Sequence, residues 1–194
     1  MEARDYRLSH GGDGGAVSMA TLATLGPVMQ LSYCPADYDA ALAHWLRLGA
    51  GPFFEIPHVK LDNVRFRGRP SDIDFSMALG YFGDIQIELI RQHNDAPSMY
   101  TEWRAAGHEG LQHMCVLVDD IADARARVAA AGGTVLQEGD LPGGAGAVIY
   151  VDTGGGPGTV MEYLQIGEPG RAGFAMMHAA HRDWDGSDPI RGRN

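Results

Sequence analysis

The stretch GLQHMCVLVDD, Gly110–Asp120, sets one histidine into an apolar run that ends on two aspartates. Such a run, bounded by turn residues, reads as a buried strand. Asp120 then stands where a helix N-cap belongs, because a short acceptor side chain satisfies the free amides of a first turn. The next residues, IADARARVAAAGG, set Ile121, Ala124, Val128 and Ala131 on one helical face and stop at Gly132. Taken alone, His113 is a core or turn histidine. It becomes a ligand candidate only if polar side chains occupy matching points elsewhere in the chain.

The same grammar occurs earlier. VMQLSYCP is strand-like, Asp37 takes the cap position, and DYDAALAHWLRLG carries Tyr38, Leu42, Trp45 and Leu48 at helical spacing before Gly49 ends it. One constant offset lays Asp37 on Asp120, Gly49 on Gly132 and Gln30 on His113. Three strand-like runs follow each helix: GPFFEIPHV, DIDFSMALGYF and GDIQIELI in the first half, GTVLQEGDL, AGAVIYVD and GTVMEYLQI in the second. Aligning the closing strands, IQIELI over TVMEYL, puts Glu88 opposite Glu162. The pattern predicts an α+β fold of two βαβββ modules, 27–91 and 110–166, related by a pseudo-twofold axis. The linker, 92–109, contains a short helix over Ser98–Ala106. Residues 1–26, with HGGDGG, read as a flexible leader.

Composition bounds the function. A chain of 194 residues that is 45% hydrophobic buries a full core. Its formal net charge of -10 argues against a nucleic-acid surface, which needs clustered Lys and Arg. Cys34 and Cys115 both lie in apolar runs and read as small core residues, and no long apolar segment marks a membrane span. A cytoplasmic setting is expected.

A pseudo-twofold axis brings equivalent positions of the two halves together, so Gln30, His113, Glu88 and Glu162 are expected to converge. In IQIELI, Ile85, Ile87 and Leu89 share one face and Gln86, Glu88 and Ile90 the other. That second face is either solvated or the wall of a polar cavity, and four symmetry-matched positions favour the cavity. Imidazole, carboxylates and an amide oxygen are ordinary ligands for first-row divalent metals or magnesium.

At these residues the chain resembles the vicinal oxygen chelate superfamily, which includes glyoxalase I, methylmalonyl-CoA epimerase, extradiol dioxygenases and bleomycin-resistance proteins. The resemblance spans residues 27–166, and GLQHM with VDDIADARARVAAAGG is most similar to the epimerase and glyoxalase-like branch. It implies paired modules closing into a half-open mixed β barrel around a divalent ion (Zn, Mn, Co, Ni, Fe or Mg). His113 falls on the second-module ligand histidine, Glu162 of VMEYL on the closing-strand carboxylate and Glu88 on the middle ligand. Gln30 stands where the first ligand histidine is usual. The branch also places a base in the third strand, where DFSMALGYF offers only Asp74 and Ser76.

The remaining signals have plainer readings. Arg65, Arg67 and Arg69 alternate, with Lys60 nearby; Arg65 and Arg67 are candidates to grip a substrate anion, against the reading of a solvated hairpin. Tyr33, Tyr81 and Tyr150 are candidate cavity-lining residues, against ordinary core packing. LPGGAG and DTGGGPG lack the Lys and Ser/Thr of a phosphate loop and read as turns. His58, His93 and His108 have no symmetry partners and read as surface residues. The tail, 167–194, is expected to form a short helix from Phe174 to about His181 that covers the barrel or a neighbouring subunit. The function implied is a metal-dependent lyase or isomerase/epimerase that moves a proton through an enolate-like intermediate on a small carbonyl or acyl thioester, with Glu162 or Glu88 as base. A metal-free small-molecule-binding protein is the alternative, and extradiol ring cleavage fits a single histidine poorly. The expected partners are a small-molecule substrate and a second copy in a homodimer, with no nucleic acid and no membrane.

Overall fold

In the computed structural model, which describes residues 22–192, the first half runs β1 (Val28–Cys34), α1 (Tyr38–Arg47), β2 (Phe53–Ile56), β3 (Asp62–Phe66), β4 (Arg69–Pro70), β5 (Phe75–Phe82) and β6 (Ile85–Gln92). Helix α2 (Met99–Ala105) leads to the second half: β7 (Gly110–Leu117), α3 (Ile121–Ala130), β8 (Thr134–Leu141), β9 (Gly146–Asp152) and β10 (Val160–Ile166). Helix α4 (Glu168–Arg182) and β11 (Ile190–Arg191) close the chain.

Both repeat helices form for the reasons read in the sequence. Asp37 accepts the Ala40 amide at 2.9 Å, and Asp120 accepts those of Ala122 and Asp123 at 2.8 and 3.3 Å. Gly49 (φ 87°) and Gly132 (φ 77°) end the helices in the left-handed region that a side chain would strain. Ser98 caps α2 through a capping box with Thr101.

All strands form one curved, unclosed mixed sheet in the order β11-β2-β5-β6-β1-β7-β10-β9-β8-β3-β4. Within each half the first and last strands pair in parallel (β1 with β6, β7 with β10), and the halves join through the antiparallel β1–β7 pair. Each repeat helix covers the outer face of its own half: Tyr38 and Leu42 of α1 pack over Ile87 and Leu89, and Ala124 and Val128 of α3 pack over Val116, Ile149 and Tyr163. The inner face is left for the site.

Three features depart from the simple repeat. The β3–β4 hairpin belongs to the first half by sequence, yet β3 pairs with β8 on the far edge of the second. The segment before it, Val59–Leu61, thereby comes to line the cavity on the inner face of the sheet. Helix α4 starts six residues ahead of the expected Phe174 and runs to Arg182; Pro169 sits in the first turn, where its missing N–H costs nothing. The expected leader lies outside the described residues except for its end, where Leu22–Leu25 form a 3-10 turn packed on the α3 cluster and Thr24 accepts from Arg127 at 3.0 Å.

LPGGAG does form the β8–β9 turn, and one of its glycines is obligatory. A Cβ on Gly146 (φ 149°) would fall on the carbonyl oxygen of Gln165 in the neighbouring strand. Gly146→Ala is expected to destabilise the protein by more than about 2 kcal/mol. The check is a urea melt in which the midpoint falls while the slope stays unchanged.

Candidate metal centre

Four central strands lie side by side in the order β6-β1-β7-β10. Across them, one inward row reads Glu88, Ser32, His113, Val160, and the other reads Gln86, Gln30, Cys115, Glu162. Leu31 and Met114 pair between the rows and mark the pseudo-twofold axis. Turning the first row about that axis takes Glu88 to Glu162, Ser32 to Cys115, His113 to Gln30 and Val160 to Gln86. Only the glutamate is the same in both halves.

The rows converge. His113 Nε2 lies 3.0 Å from Glu162 Oε2 and 3.4 Å from Glu88 Oε2, and one ligand atom from each of the three residues lies within 4.8 Å of the others. All three are buried, with His113 fully enclosed and Glu88 and Glu162 only 6% and 5% exposed. The other ring nitrogen, Nδ1, faces Gln112 Oε1 at 2.6 Å; an amide oxygen only accepts, so Nδ1 carries the proton and Nε2 is aimed at the carboxylates. Ser32 donates to Glu88 Oε2 at 2.5 Å, and its symmetry mate Cys115 hydrogen-bonds Glu162.

Burial acts on this cluster against its charges. Desolvation works to lower the His113 pKa, but the hydrogen bonds and charges of Glu162 and Glu88 overcome it and raise the value to about 9. Burial, together with the Glu88 charge, raises the proton affinity of Glu162 against the lowering pull of His113. Without an ion, His113 is therefore an imidazolium between two carboxylates.

The donor set suits a divalent ion. Two carboxylates balance its charge, His113 Nε2 supplies a nitrogen, and Gln30, in the adjoining row, has a buried Oε1 with no hydrogen-bond partner. Glu88, Glu162, Gln30 and Tyr150 line a cavity of about 270 Å³ whose other walls are mostly apolar, including Phe75, Met77 and Leu164. Val59–Leu61 roof it on one side and Gly170 and Phe174 of α4 on another.

Residues 29–151 match the family model of the Glyoxalase/Bleomycin resistance protein/Dioxygenase superfamily. The chain belongs to that superfamily. The match covers Gln30, Glu88 and His113 and ends before Glu162. Among solved structures, a hypothetical protein from Bacillus halodurans C-125 shares the fold at TM-score 0.52 and 15% identity, over 73% of this chain and 95% of that one. A methylmalonyl-CoA epimerase from Mycobacterium tuberculosis aligns at TM-score 0.49 and 17% identity, over 75% and 91%. Another methylmalonyl-CoA epimerase aligns at TM-score 0.45 and 22% identity, over 73% and 95%. No protein of curated function matches the chain.

Of the tyrosines singled out in the sequence, Tyr150 lines the cavity with its ring edge-on to His113 at 5.1 Å. Tyr81 stands behind the wall, bonded to Gln86 and to the Phe174 carbonyl. Tyr33 faces the opposite side of β1, against Trp45 at 5.3 Å, because residues alternate along a strand. Arg65 and Arg67 also lie outside the cavity. Arg67 pairs with Glu102 of α2 at 2.5 Å and Arg65 donates to the Gly68 carbonyl at 3.3 Å, as a solvated hairpin would have them. Asp74 and Ser76 are held instead by His58 and His93, at 2.7 and 2.6 Å. Sequence reasoning missed Ser32, Cys115 and Gln86. The offset that pairs Gln30 with His113 also pairs Ser32 with Cys115, so that signal was present.

Two outcomes follow from this geometry. If the cluster holds a divalent ion, alanine at His113 or Glu162 is expected to lower bound ion at least about tenfold, since each would remove a direct donor, with Gln30→Ala costing less. The check is metal content after equilibrium dialysis. The second concerns pH. A folded pKa raised from 6.5 to about 9 gives the metal-free protein stability that is full below pH 6.5 and lost as pH rises through about 9. Ligation must displace that proton, so metal affinity is expected to climb over the same range, with about one proton released per ion bound at pH 7. Calorimetry in two buffers of different ionisation enthalpy measures the proton count.

Proposed function

We propose that this protein is a metal-dependent lyase or isomerase that transfers a proton next to a carbonyl through an enolate-like intermediate. The observation that carries the reading is the buried Glu88–His113–Glu162 cluster beside an apolar cavity that Gln30 also lines. A divalent ion held there supplies a Lewis acid that polarises a substrate carbonyl. Glu162 is the residue we assign as base. Burial raises its proton affinity, and the thiol of Cys115 is a weak donor, whereas Glu88 is pinned by the Ser32 hydroxyl at 2.5 Å. On leaving the ion, Glu162 would take the proton and return it, while Glu88, His113 and Gln30 would hold the ion.

The cavity bears on the substrate. About 270 Å³ of largely apolar space suits a small oxo or acyl group and leaves any nucleotide portion of a thioester outside. Lys60, at the roof, is the one cation among the described residues lining it and suits a substrate carboxylate. Phe174 on α4 and the Val59–Leu61 segment line the cavity and would shield the proton-transfer step from water.

A metal-free binding protein is the second reading. One observation favours it: His113 Nε2 lies 3.0 Å from Glu162 and 3.4 Å from Glu88, so a protonated imidazole pairs with both carboxylates without an ion. For the setting, we propose a cytoplasmic homodimer. In support, both cysteines are free and buried, and Phe82, beside Trp45, leaves half its surface exposed on the outside of the fold. No helix among the described residues is long and apolar enough to cross a membrane.

The test is solvent exchange. Protein loaded with zinc, manganese, cobalt or magnesium is expected to exchange the proton alpha to the carbonyl of a 2-oxo acid or small acyl thioester with deuterium, read by NMR. Glu162→Gln should slow this by about a hundredfold or more. Loaded with ferrous iron and given catechols in air, the protein should consume no oxygen. Ring cleavage with stoichiometric oxygen uptake overturns the assignment, and wild-type protein that stays metal-free in replete medium overturns the metal-dependent reading and favours the binding-protein one.

A further inference from the structure

Gln30 poses a problem that a histidine at the same place would not. The two ends of an amide have nearly the same shape, but the oxygen attracts a cation and the NH2 repels it. A glutamine ligand therefore has to be held the right way round. His113, its symmetry mate, is oriented by one acceptor, Gln112 Oε1.

The structure assigns that task to Gln86 and Tyr81: we propose that they are positioning residues that fix Gln30 with its oxygen turned to the Glu88–His113–Glu162 centre, as a fourth ligand anchored on helix α4. The inference rests on the reading of that centre as a metal site. Its direction is set by an atom that has no choice. The backbone carbonyl of Phe174 can only accept, so the Tyr81 hydroxyl 3.3 Å away donates to it. The Tyr81 oxygen is then free to accept, and Gln86 Nε2 donates to it at 3.1 Å. That leaves Gln86 Oε1 to accept from Gln30 Nε2 at 2.7 Å. Gln30 Oε1 is the one remaining end, and it is buried without a partner.

Two further observations agree. Every side chain in the relay is inside the protein: Gln30 is 3% exposed, Gln86 0% and Tyr81 5%. Buried amides of this kind are costly unless bonded, so the chain is held as a unit. The pseudo-twofold counterpart of Gln86 is Val160, an apolar residue. The half that carries a histidine has no polar group at that point; the half that carries a glutamine does. Because the relay ends on the Phe174 carbonyl while the Phe174 side chain lines the cavity, α4 joins the substrate wall to the fourth ligand.

The test reads the amide directly. In metal-free, 15N-labelled protein the Gln30 side-chain protons are expected to exchange with solvent at least tenfold more slowly than those of an exposed glutamine. Tyr81→Phe and Gln86→Met should remove most of that protection. Gln86→Glu should keep it, because a carboxyl group still presents an acceptor to Gln30 Nε2. In the cobalt-loaded protein, the visible absorption bands of Tyr81→Phe should move to those of Gln30→Ala. Unprotected Gln30 protons in wild-type protein that binds cobalt overturn the relay alone. Protected protons in a protein that binds no cobalt overturn the ligand role together with the metal reading.

Discussion

The antiparallel pairing of β1 with β7 about Leu31 and Met114 is the constraint on which the rest depends. Side chains alternate along a strand, so a slip of one residue would turn Gln30, Ser32 and His113 against the helices and bring Leu31 and Met114 inward. The helices oppose such a slip. On the outer face, Ile87 and Leu89 sit under Tyr38 and Leu42 of α1, while Val116 and Tyr163 sit under Ala124 and Val128 of α3. Each apolar outer position dictates an inward neighbour, and the inward neighbours are the polar ones. Burying them is tolerable because nearly all find partners within a row or between the two, which makes the polar interior as dependent on register as the apolar exterior.

Much of this was legible because the signals are local and occur twice. A cap aspartate, a helical stripe and a stopping glycine recur at one offset; alternation in IQIELI sets Glu88 on the face opposite Ile87 and Leu89, and its match to Glu162 in the other half favours the inner side. What escaped was non-local. Nothing within the sequence of the β3–β4 hairpin says which edge it joins, and its pairing with β8 of the other half is what draws Val59–Leu61 over the cavity. Arg65 and Arg67 alternate as a ligand grip would, but that edge faces Glu102 and solvent. The start of α4 was hidden by Pro169, Gly170 and Gly173, poor helix formers in general. Gly170 is nonetheless suited to its place, since a Cβ there would crowd Ile166 at 3.1 Å. Gln86 was visible on the right face, two residues before Glu88, but its partner choice needs the β1–β6 register.

The two halves have diverged in an ordered way about the shared glutamates. Serine and cysteine occupy equivalent points behind Glu88 and Glu162, and a hydroxyl donates far more strongly than a thiol. The carboxylates therefore differ in freedom although their geometry is related by symmetry. Likewise His113 and Gln30 occupy equivalent points, one with a single orienting acceptor and the other with a chain of three groups behind it.

Charge explains why such divergence is tolerated. As ligands, Gln30 and His113 would both be neutral, so the ligand charge would come from Glu88 and Glu162 alone and match a divalent ion whichever neutral donor stands beside them. The formal balance therefore survives a change from imidazole to amide, while the donor strength falls. A weaker donor holds its place only if its orientation is prepared in advance, since an amide that must first rotate would leave its NH2 facing the ion. Placing the acceptor of Gln86 behind Gln30 meets that need within the fold, and ending the chain on α4 makes the C-terminal helix part of the centre as well as its cover.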